Sequence, residues 1–426
     1  MNIGFQKAIW IVLLGGLSLN LSAQEAAIQF KNQLPVARKN ELIELDRAFI
    51  EKKIGKLPKG ETIEITGTPQ MLTLQFDDLN LDGQWDKVVF LLSFKPAETI
   101  RLKMKLSGDF SISGPPVAHV RHRRKLPDNS FAAALDVDSI PPGQPNTDFT
   151  KLKLPPFLTE GPAWENDKVG FRIYMDQRNT KDIWGKTTAD MMMDTVGVNP
   201  EVIYHHLAPW GMDILAVGKS LGAGSLAMHV PVTGKADTLV RLGGKNMGKV
   251  VYRKIADGPV RAVFQMEYPE WNVLGDGKLT SLTEQVSIWG GQYFYESRIT
   301  LKNAPKGANI VTGIVNLKSN NSFQISNKNA RMLYTFDQQS ENNDYLGMAV
   351  LLNQKDLVSF GKTPNANSEV LNTYTVSMKT PGLKQATIFR FYSCWEHSDP
   401  IFATASGFKQ YLVDESKTYN SPVVIK

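Results

Sequence analysis

Apolar and polar side chains alternate along most of this chain in short runs, and turn residues separate the runs. In residues 169–176 every second residue is apolar, and the positions between them are occupied by Arg172, Tyr174 and Asp176. Successive side chains of a β-strand point to opposite faces, so this pattern predicts a strand with one buried and one polar face. Comparable runs cover residues 225–232, 293–300 and, less regularly, 386–395. The chain is therefore predicted to be an all-β protein built of packed antiparallel sheets.

Helical periodicity is weak by comparison. It favours a helix only over residues 40–56 and 181–196, and both stretches are short. The 33 glycines and 23 prolines favour many turns over a long helical bundle.

A change in composition divides the chain into parts. Residues 24–110 predict an N-terminal β-sandwich portion, and residues 161–426 predict a larger β domain. Between them, residues 111–160 are rich in proline and basic residues. A stretch of that length is long for a plain connection, so we interpret it as a linker or a binding loop.

The first 23 residues have the features of a signal peptide. Lys7 precedes an apolar run over residues 8–21, and the small residues Ser22 and Ala23 come before the expected cleavage point. The run is too short to span a membrane. No cysteine follows it, which argues against a lipid anchor. We therefore expect a periplasmic or secreted protein without membrane insertion.

Composition narrows the classes of protein further. Apolar residues make up 42% of the chain, which supports a packed core and excludes a globally disordered chain. A single cysteine excludes a disulfide framework and a multi-cysteine metal site. The formal charge of +6 is too small to indicate nucleic acid, and export makes an extracellular anionic polymer the expected partner.

Residues 78–86 resemble the first part of a calcium-binding loop. Side chains with oxygen atoms stand at its first, third, fifth and ninth positions, which are Asp78, Asn80, Asp82 and Asp86. The twelfth position is a valine, where an EF-hand needs a bidentate glutamate, and a predicted strand follows instead of a helix. The pattern predicts either an Asx-rich turn or a bound structural calcium ion, and neither is needed for chemistry.

The densest positive charge lies in residues 119–125. This run is either a solvated loop or a clamp for a sulfated or carboxylated polymer, because guanidinium groups bind such anions with two hydrogen bonds. In the second case His119 and Arg121 are expected to contact the ligand.

Aromatic, cationic and carboxylate side chains are concentrated in residues 158–229. Arg172 and Tyr174 leave the same face of the predicted strand about 7 Å apart, a spacing that suits two contacts along one sugar ring. Any one such residue is typical of packing, but the group as a whole favours a binding site. The other candidates in the region are Trp164, Glu165, Trp184, Lys186, Tyr204, His205, Asp213 and Lys219.

The chain resembles the DUF4861 domain family, exported proteins of Bacteroidetes that are typical of polysaccharide-utilisation gene clusters. The resemblance covers most of the chain after the signal peptide. It implies a β-supersandwich similar to galactose-mutarotase-like domains over residues 161–426, and elimination chemistry on uronic-acid oligosaccharides. It rests on residues 37–42, 77–86, 164–167, 172–174, 184–186, 204–205 and 211–224.

Elimination from a uronosyl ring assigns roles to these residues. The C5 proton is acidic only because a carboxylate lies next to it, so Arg172 and Lys186 are expected to neutralise that carboxylate. His205 is the preferred base because an ordinary imidazole is largely neutral at neutral pH. Tyr174 or Tyr204 would protonate the leaving oxygen or serve as the base. Flat faces for the sugar would come from Trp164 and Trp184.

Two other classes of function stay open. A glycoside hydrolase would need two carboxyl groups about 5 to 9.5 Å apart, and the candidates are Glu160, Glu165, Asp167 and Asp213. A non-catalytic glycan-binding protein would need the aromatic and cationic side chains but no base. The leaving group also stays open: hydroxide defines a dehydratase, and a sugar defines a lyase.

Overall fold

The secondary structure is almost entirely antiparallel β. The structure, a computed structural model, describes residues 25–107, 114–231, 238–382 and 384–426, so the predicted signal peptide lies outside the described residues. The described helices of more than one turn are α1 Arg47–Ile54 and α2 Ala405–Tyr419. The strands, in chain order, are β1 Ala26–Lys31, β2 Arg38–Asp46, β3 Thr62–Thr66, β4 Gln75–Asp77, β5 Lys87–Phe94, β6 Thr99–Ser107, β7 Ala118–Arg121, β8 Val137–Ile140, β9 Ala163–Asn166, β10 Val169–Ile173, β11 Lys181–Lys186, β12 Gly211–Asp213, β13 Ala227–Val230, β14 Thr238–Arg241, β15 Val250–Asp257, β16 Arg261–Trp271, β17 Thr280–Trp289, β18 Phe294–Lys302, β19 Asn309–Val315, β20 Phe323–Asn327, β21 Ala330–Asp337, β22 Leu346–Asn353, β23 Leu357–Lys362, β24 Thr373–Lys379, β25 Thr387–Trp395 and β26 Val424–Ile425.

A nine-stranded sheet forms the centre of the molecule. Its strand order is β20-β21-β22-β25-β18-β17-β16-β15-β8. One face packs against two five-stranded sheets, of order β12-β11-β10-β9-β7 and β14-β13-β19-β24-β23, and their inward side chains share one apolar core. The other face is covered by α2, through Phe408 and Leu412. The predicted all-β supersandwich is confirmed.

The helix predictions were largely wrong. Residues 40–56 divide between β2 and α1, and residues 181–196 begin as the strand β11. All six residues of β11 are buried, so its two faces cannot be distinguished from its hydrophobicity. The longest helix, α2, was missed because its mixed polar sequence has only a narrow apolar stripe. None of the helices in the described ranges has the length and apolar character needed to cross a membrane.

The N-terminal portion is a small sandwich of its own. Its sheets have the orders β26-β1-β6-β3 and β2-β5-β4, and they enclose a separate apolar core. The sandwich is joined to the large sheet by Arg261, whose Nε donates to Asp77 at 2.6 Å and whose guanidinium also pairs with Glu44. Arg261 and Asp77 are both buried, so this ion pair fixes the position of the sandwich on β16.

Residues 111–160 are more than a connection. Within them, β7 is the edge strand of one five-stranded sheet and β8 is the edge strand of the nine-stranded sheet. The prolines all lie outside these two strands and therefore did not prevent pairing at the edges. Residues 118–121 and 137–140 therefore contribute strands to the sheets of the larger domain.

The acidic loop between β4 and β5 directs its oxygens at its own backbone. The carboxylate of Asp78 accepts from the amides of Asp82 and Gly83, at 3.1 and 2.7 Å, and Asp86 accepts from the amide of Leu79 at 2.8 Å. Asn80 accepts from the amide of Asp82 at 2.9 Å. These contacts are those of an Asx-rich turn, one of the two alternatives that the sequence left open.

Removing divalent cations should separate the two alternatives. Because the turn amides already satisfy most of these oxygens, we expect a chelator to leave the melting temperature unchanged. The substitution Asp78→Ala should lower the free energy of unfolding by about 1 kcal/mol, because two amides lose their acceptor. A melting temperature that falls with chelator and returns with calcium would instead establish a structural ion.

Candidate functional site

One face of the sheet β12-β11-β10-β9-β7 carries most of the polar residues that the sequence singled out. Residues directly opposite each other in adjacent strands share a face. Arg172 lies opposite Asp182 in β11, and Trp184 lies opposite Asp213 in β12. On the other side, His119 in β7 lies opposite Glu165 in β9. Strand register alone therefore brings these side chains to one surface.

The opposite face of the same sheet belongs to the apolar core. Phe171 lies opposite Trp164 and stacks on it with ring centroids 5.8 Å apart. Trp164 is fully buried and also contacts Phe264 and Tyr295. The expectation that Trp164 offers a face to a sugar is wrong, because its position in β9 turns it inward.

Arg172 is the centre of the polar face. Its guanidinium donates to Asp182 at 2.8 Å, to Asp213 at 2.6 Å and to the hydroxyl of Tyr174 at 2.7 Å. It also lies over the Trp184 ring, 4.7 Å from the centroid. A buried charge needs such pairing, and Arg172 is 1% exposed. Only its Nη1 makes long contacts, 3.4 Å to the hydroxyl of Tyr204 and 3.8 Å to Glu160.

His205 lies at the surface above this network. Its Nδ1 is 3.4 Å from Oδ2 of Asp213, while 56% of its side chain is exposed. Burial of the rest of the ring, together with the charge of Arg172, lowers the pKa of His205. The pKa of Asp213 is raised well above its usual value, because burial and the neighbouring Asp182 outweigh the opposing charge of Arg172. The arrangement is an exposed imidazole backed by a buried carboxyl group.

The two candidate tyrosines differ in what their hydroxyls do. The Tyr174 hydroxyl donates to Asp182 at 2.6 Å and accepts from Arg172, and the residue is buried. Tyr204 is half-buried, accepts from Arg172 at 3.4 Å, and packs on His205 with ring centroids 4.7 Å apart. Burial raises the pKa of both phenols. Tyr204 therefore keeps its proton at neutral pH and lies beside His205, whereas Tyr174 holds Asp182 in place.

The segment of residues 187–210, here called the cover segment, delivers Tyr204 and His205. The amide of Asp213 donates to the carbonyl of Tyr204 at 2.9 Å. The amide of Met193 donates to Glu165 at 2.7 Å. Both ends of the cover segment are therefore tied to the polar face, although it has no strand or helix of its own.

Lys186 and Glu165 hold the cover segment and do not face the site. The Nζ of Lys186 donates to Glu165 at 2.5 Å and to the carbonyls of Asn166 and Asp190, both at 2.7 Å. Neither side chain of the pair is exposed. Burial lowers the pKa of Lys186 more than Glu165 raises it. The expectation that Lys186 neutralises a substrate carboxylate, with Glu165 as a substrate contact, is corrected: the pair is internal and saturated.

Arg121 has a similar internal role. It is fully buried and donates to the carbonyls of Met193, Leu158 and Gly161 at 2.8 to 3.0 Å, and to the hydroxyl of Thr159 at 2.9 Å. These contacts hold a turn in which Thr159 has a φ of 50°, an unfavourable value for a β-branched residue. Arg121 is therefore no clamp for a polymer, because a sugar cannot reach it.

Two further candidates are occupied by the protein itself. His119 lies between Asp257, 2.8 Å from Nδ1, and Asp194, 3.2 Å from Nε2. Burial alone would lower the pKa of His119, but the two carboxylates raise it to about 9. Trp184 is fully buried beneath Arg172 and Tyr204. Neither can contact a ligand directly, so the expectations for both are corrected.

Lys219 is exposed in a separate pocket of about 570 Å³. The pocket also contains Arg178, whose guanidinium lies 3.6 Å from the centroid of the Tyr174 ring and pairs with Glu160 at 2.6 Å. Lys219 therefore does not contact the site at His205, but Arg178 connects its pocket to that site.

Sequence reasoning missed Asp182 and Arg178 as parts of the site. Asp182 accepts from both Arg172 and Tyr174. A strand prediction for these residues, paired with residues 169–176, would have placed Asp182 opposite Arg172. Residues 181–196 were instead predicted to be a helix. Arg178 follows the strand in a turn, and no spacing rule points to it.

A possible metal-ligating group lies elsewhere in the described residues. One ligand atom each from Asp344, Glu396 and His397 lie within 4.8 Å of one another, and the His397 Nε2 is 3.3 Å from Asp344. The side chains of the acidic loop at residues 78–86 do not converge in this way among the described residues. Carboxylates and imidazole suit a borderline divalent cation such as zinc or manganese.

Two solved structures align with most of this chain at low similarity. An α-mannosidase from Enterococcus faecalis V583 aligns with 95% of this chain and 46% of its own, at 9% identity and a TM-score of 0.47. A protein of glycosyl hydrolase family 38 from Enterococcus faecalis aligns with 95% of this chain and 47% of its own, at 9% identity and a TM-score of 0.48. The chain thus spans about half the length of these proteins.

A relative and a family model match at the level of sequence. An uncharacterized protein, P7 of Formosa agariphila, is 24% identical over 290 residues, which are 64% of this chain and 62% of that protein. The chain spans less than two thirds of that relative. The model of DUF4861, a domain of unknown function, matches residues 30–425. This protein belongs to the DUF4861 family.

Proposed function

We propose that this protein is a carbohydrate-active enzyme that eliminates the C4 substituent of a uronosyl ring. The observation that carries the proposal is the pair of His205 and Tyr204, which lie side by side at the surface above the buried Arg172–Asp213 pair. An exposed imidazole contributes little to the stability of the fold, whereas the buried ion pair beneath it carries a desolvation cost. Such an arrangement is typical of a functional site.

His205 acts as the general base. Its Nδ1 lies 3.4 Å from Oδ2 of Asp213, and the other ring nitrogen takes the C5 proton. The lowered pKa keeps the imidazole neutral, and therefore able to accept a proton, at neutral pH. The buried carboxyl group of Asp213 orients the imidazole, as the acidic residue does in the Ser-His-Asp arrangement.

Tyr204 acts as the general acid. Its raised pKa keeps the phenol protonated, and its hydroxyl proton is not given to any described acceptor. In the reaction, the C5–H bond breaks as the proton moves to His205, and the electron pair forms the C4=C5 double bond. The C4–O bond breaks, and the leaving oxygen takes the proton of Tyr204. Arg172 is 1% exposed and does not touch the sugar, so its positive charge acts from beneath the pair on the negative charge that develops on the sugar carboxylate.

Hydrolysis by paired carboxylates has less support. The side chains of Glu165 and Asp213 are at most 2% exposed, and Glu160 pairs with Arg178. A hydrolase needs one carboxyl group beside the glycosidic oxygen and a second with room for the anomeric carbon or a water. Asp182 and Asp213 bind the same Nη2 of Arg172, which leaves no such room between them.

The substitution His205→Gln should lower kcat by at least about 100-fold, because the base is lost. The ring is largely exposed, so the melting temperature should change little. The assay follows the ultraviolet absorbance of the C4=C5 bond on a panel of uronate-terminated oligosaccharides, and mass spectrometry separates loss of water from chain cleavage. His206→Gln, at the exposed neighbouring position, is the control and should keep its rate. Equal rates for both variants would refute the assignment.

The substitution Tyr204→Phe should also lower kcat by about 100-fold while the fold stays intact, since only a long contact to Arg172 is lost. Tyr174→Phe differs, because its hydroxyl bridges Arg172 and Asp182 inside the protein. It should lower the melting temperature as well as the rate. If Tyr204→Phe keeps full activity and Tyr174→Phe loses it without loss of stability, the acid has been assigned to the wrong tyrosine.

The pH dependence of kcat/KM reports the base in the free enzyme. Protonation inactivates His205, so activity should rise with pH through the pKa of His205. Burial and Arg172 lower that pKa, which places the acidic limb below the ordinary imidazole value of about 6.5. An acidic limb centred above that value would contradict the assignment of His205 as the base.

A further inference from the structure

We propose that the pocket beside Arg178 binds a second anionic group, a sulfate or carboxylate carried by a sugar next to the one that reacts. That the ligand is a sugar rests on the proposed function, whereas its negative charge is inferred from the pocket alone. The pocket has a volume of about 570 Å³ and is lined by four cationic side chains, Arg178, Lys219, Arg241 and Lys245. One acidic residue, Glu369, also lines it.

Three of the four cations have no carboxylate partner. Within the described residues, no Asp or Glu oxygen lies within 4.0 Å of Lys219, Arg241 or Lys245, whereas Arg178 pairs with Asp176 and Glu160. Cations at other positions of the protein do pair with carboxylates, as Lys254 does with Asp136 at 2.8 Å. A cluster of unpaired cations in a concave site repels itself unless an anion is bound.

Arg241 is held rigidly in the wall of the pocket. Its Nη2 donates to the carbonyls of Lys219 and Ser220 at 2.6 and 2.7 Å, and its Nη1 donates to the hydroxyl of Thr180 at 3.0 Å. Burial lowers the pKa of Arg241 to about 10, although the charge of Glu369 raises it. These bonds fix the guanidinium before any ligand arrives, which reduces the entropy lost on binding.

The pocket adjoins the buried network that lies beneath His205. Thr180 lines the pocket and stands two residues before Asp182, about 7 Å along an extended chain. Arg178 stacks on one side of the site through the Tyr174 ring. Glu160 contacts Arg172 at 3.8 Å and Arg178 at 2.6 Å, so it links the two regions.

The chemistry of the lining selects an anion with several oxygens. Arginine and lysine donate only, and the neighbouring Asn146, Gln177 and Asn246 supply amide groups that suit sugar hydroxyls. The pocket has no aromatic side chain in its lining, so it recognises charge and hydroxyls and does not stack on a ring. An anionic sugar substituent fits this set.

The test measures binding of inorganic sulfate and of glucuronate by calorimetry, with the wild-type protein and the double variant Lys219→Gln/Lys245→Gln. The control is Lys302→Gln/Lys306→Gln, which removes the same charge at two exposed positions outside the pocket. We expect the double variant to weaken binding of the preferred anion by at least about tenfold, and the control to leave it unchanged. The anion that binds more tightly identifies the substituent as sulfate or carboxylate.

The same variants separate this inference from the proposed function. On a turned-over oligosaccharide, the pocket variant should raise KM about tenfold and leave kcat near the wild-type value, because the pocket is remote from the bonds that break. Anion binding that depends on Lys219 and Lys245 without turnover of any uronate would support the pocket and refute the elimination. Equal anion binding by the pocket variant and the control, or no binding by the wild-type protein, would overturn the inference.

Discussion

The buried charge of Arg172 sets the arrangement of the site. A buried guanidinium must be paired and hydrogen-bonded, and Arg172 finds its partners in Asp182 of β11, Asp213 of β12 and Tyr174, which follows β10. The position of His205 then follows from Asp213. Removing the cation would leave two carboxyl groups close together without a counter-charge, so the members of the network depend on one another energetically.

The strand register explains why so many polar residues meet without a dedicated loop. Alternation puts Phe171 into the core and Arg172 onto the opposite face, and pairing with β11 and β12 adds Asp182 and Asp213 on the same side. As a consequence, most of the polar face is buried inside the protein. Lys186, placed like its neighbours by the register, serves to hold the chain above it.

The sequence was informative where the pattern is regular. The alternation at residues 169–176 predicts both the strand and the grouping of Arg172 with Tyr174, and both are present. Burial could not be predicted in the same way, because a polar residue facing the cover segment looks the same in sequence as one facing solvent. For this reason Arg121 was assigned to a ligand although it is fully buried. Strand β11, buried on both faces, gave no period at all.

The cover segment combines residues that are anchored to the sheet with residues that are exposed. Its ends are anchored by bonds to Glu165 and Asp213, while Val202 and Ile203, next to the reactive pair, are each 58% exposed. Exposed side chains between the anchors, such as these two, can thus be exchanged without disturbing any sheet. Exchange at such positions would alter what the surface beside His205 recognises and leave the buried network beneath it unchanged.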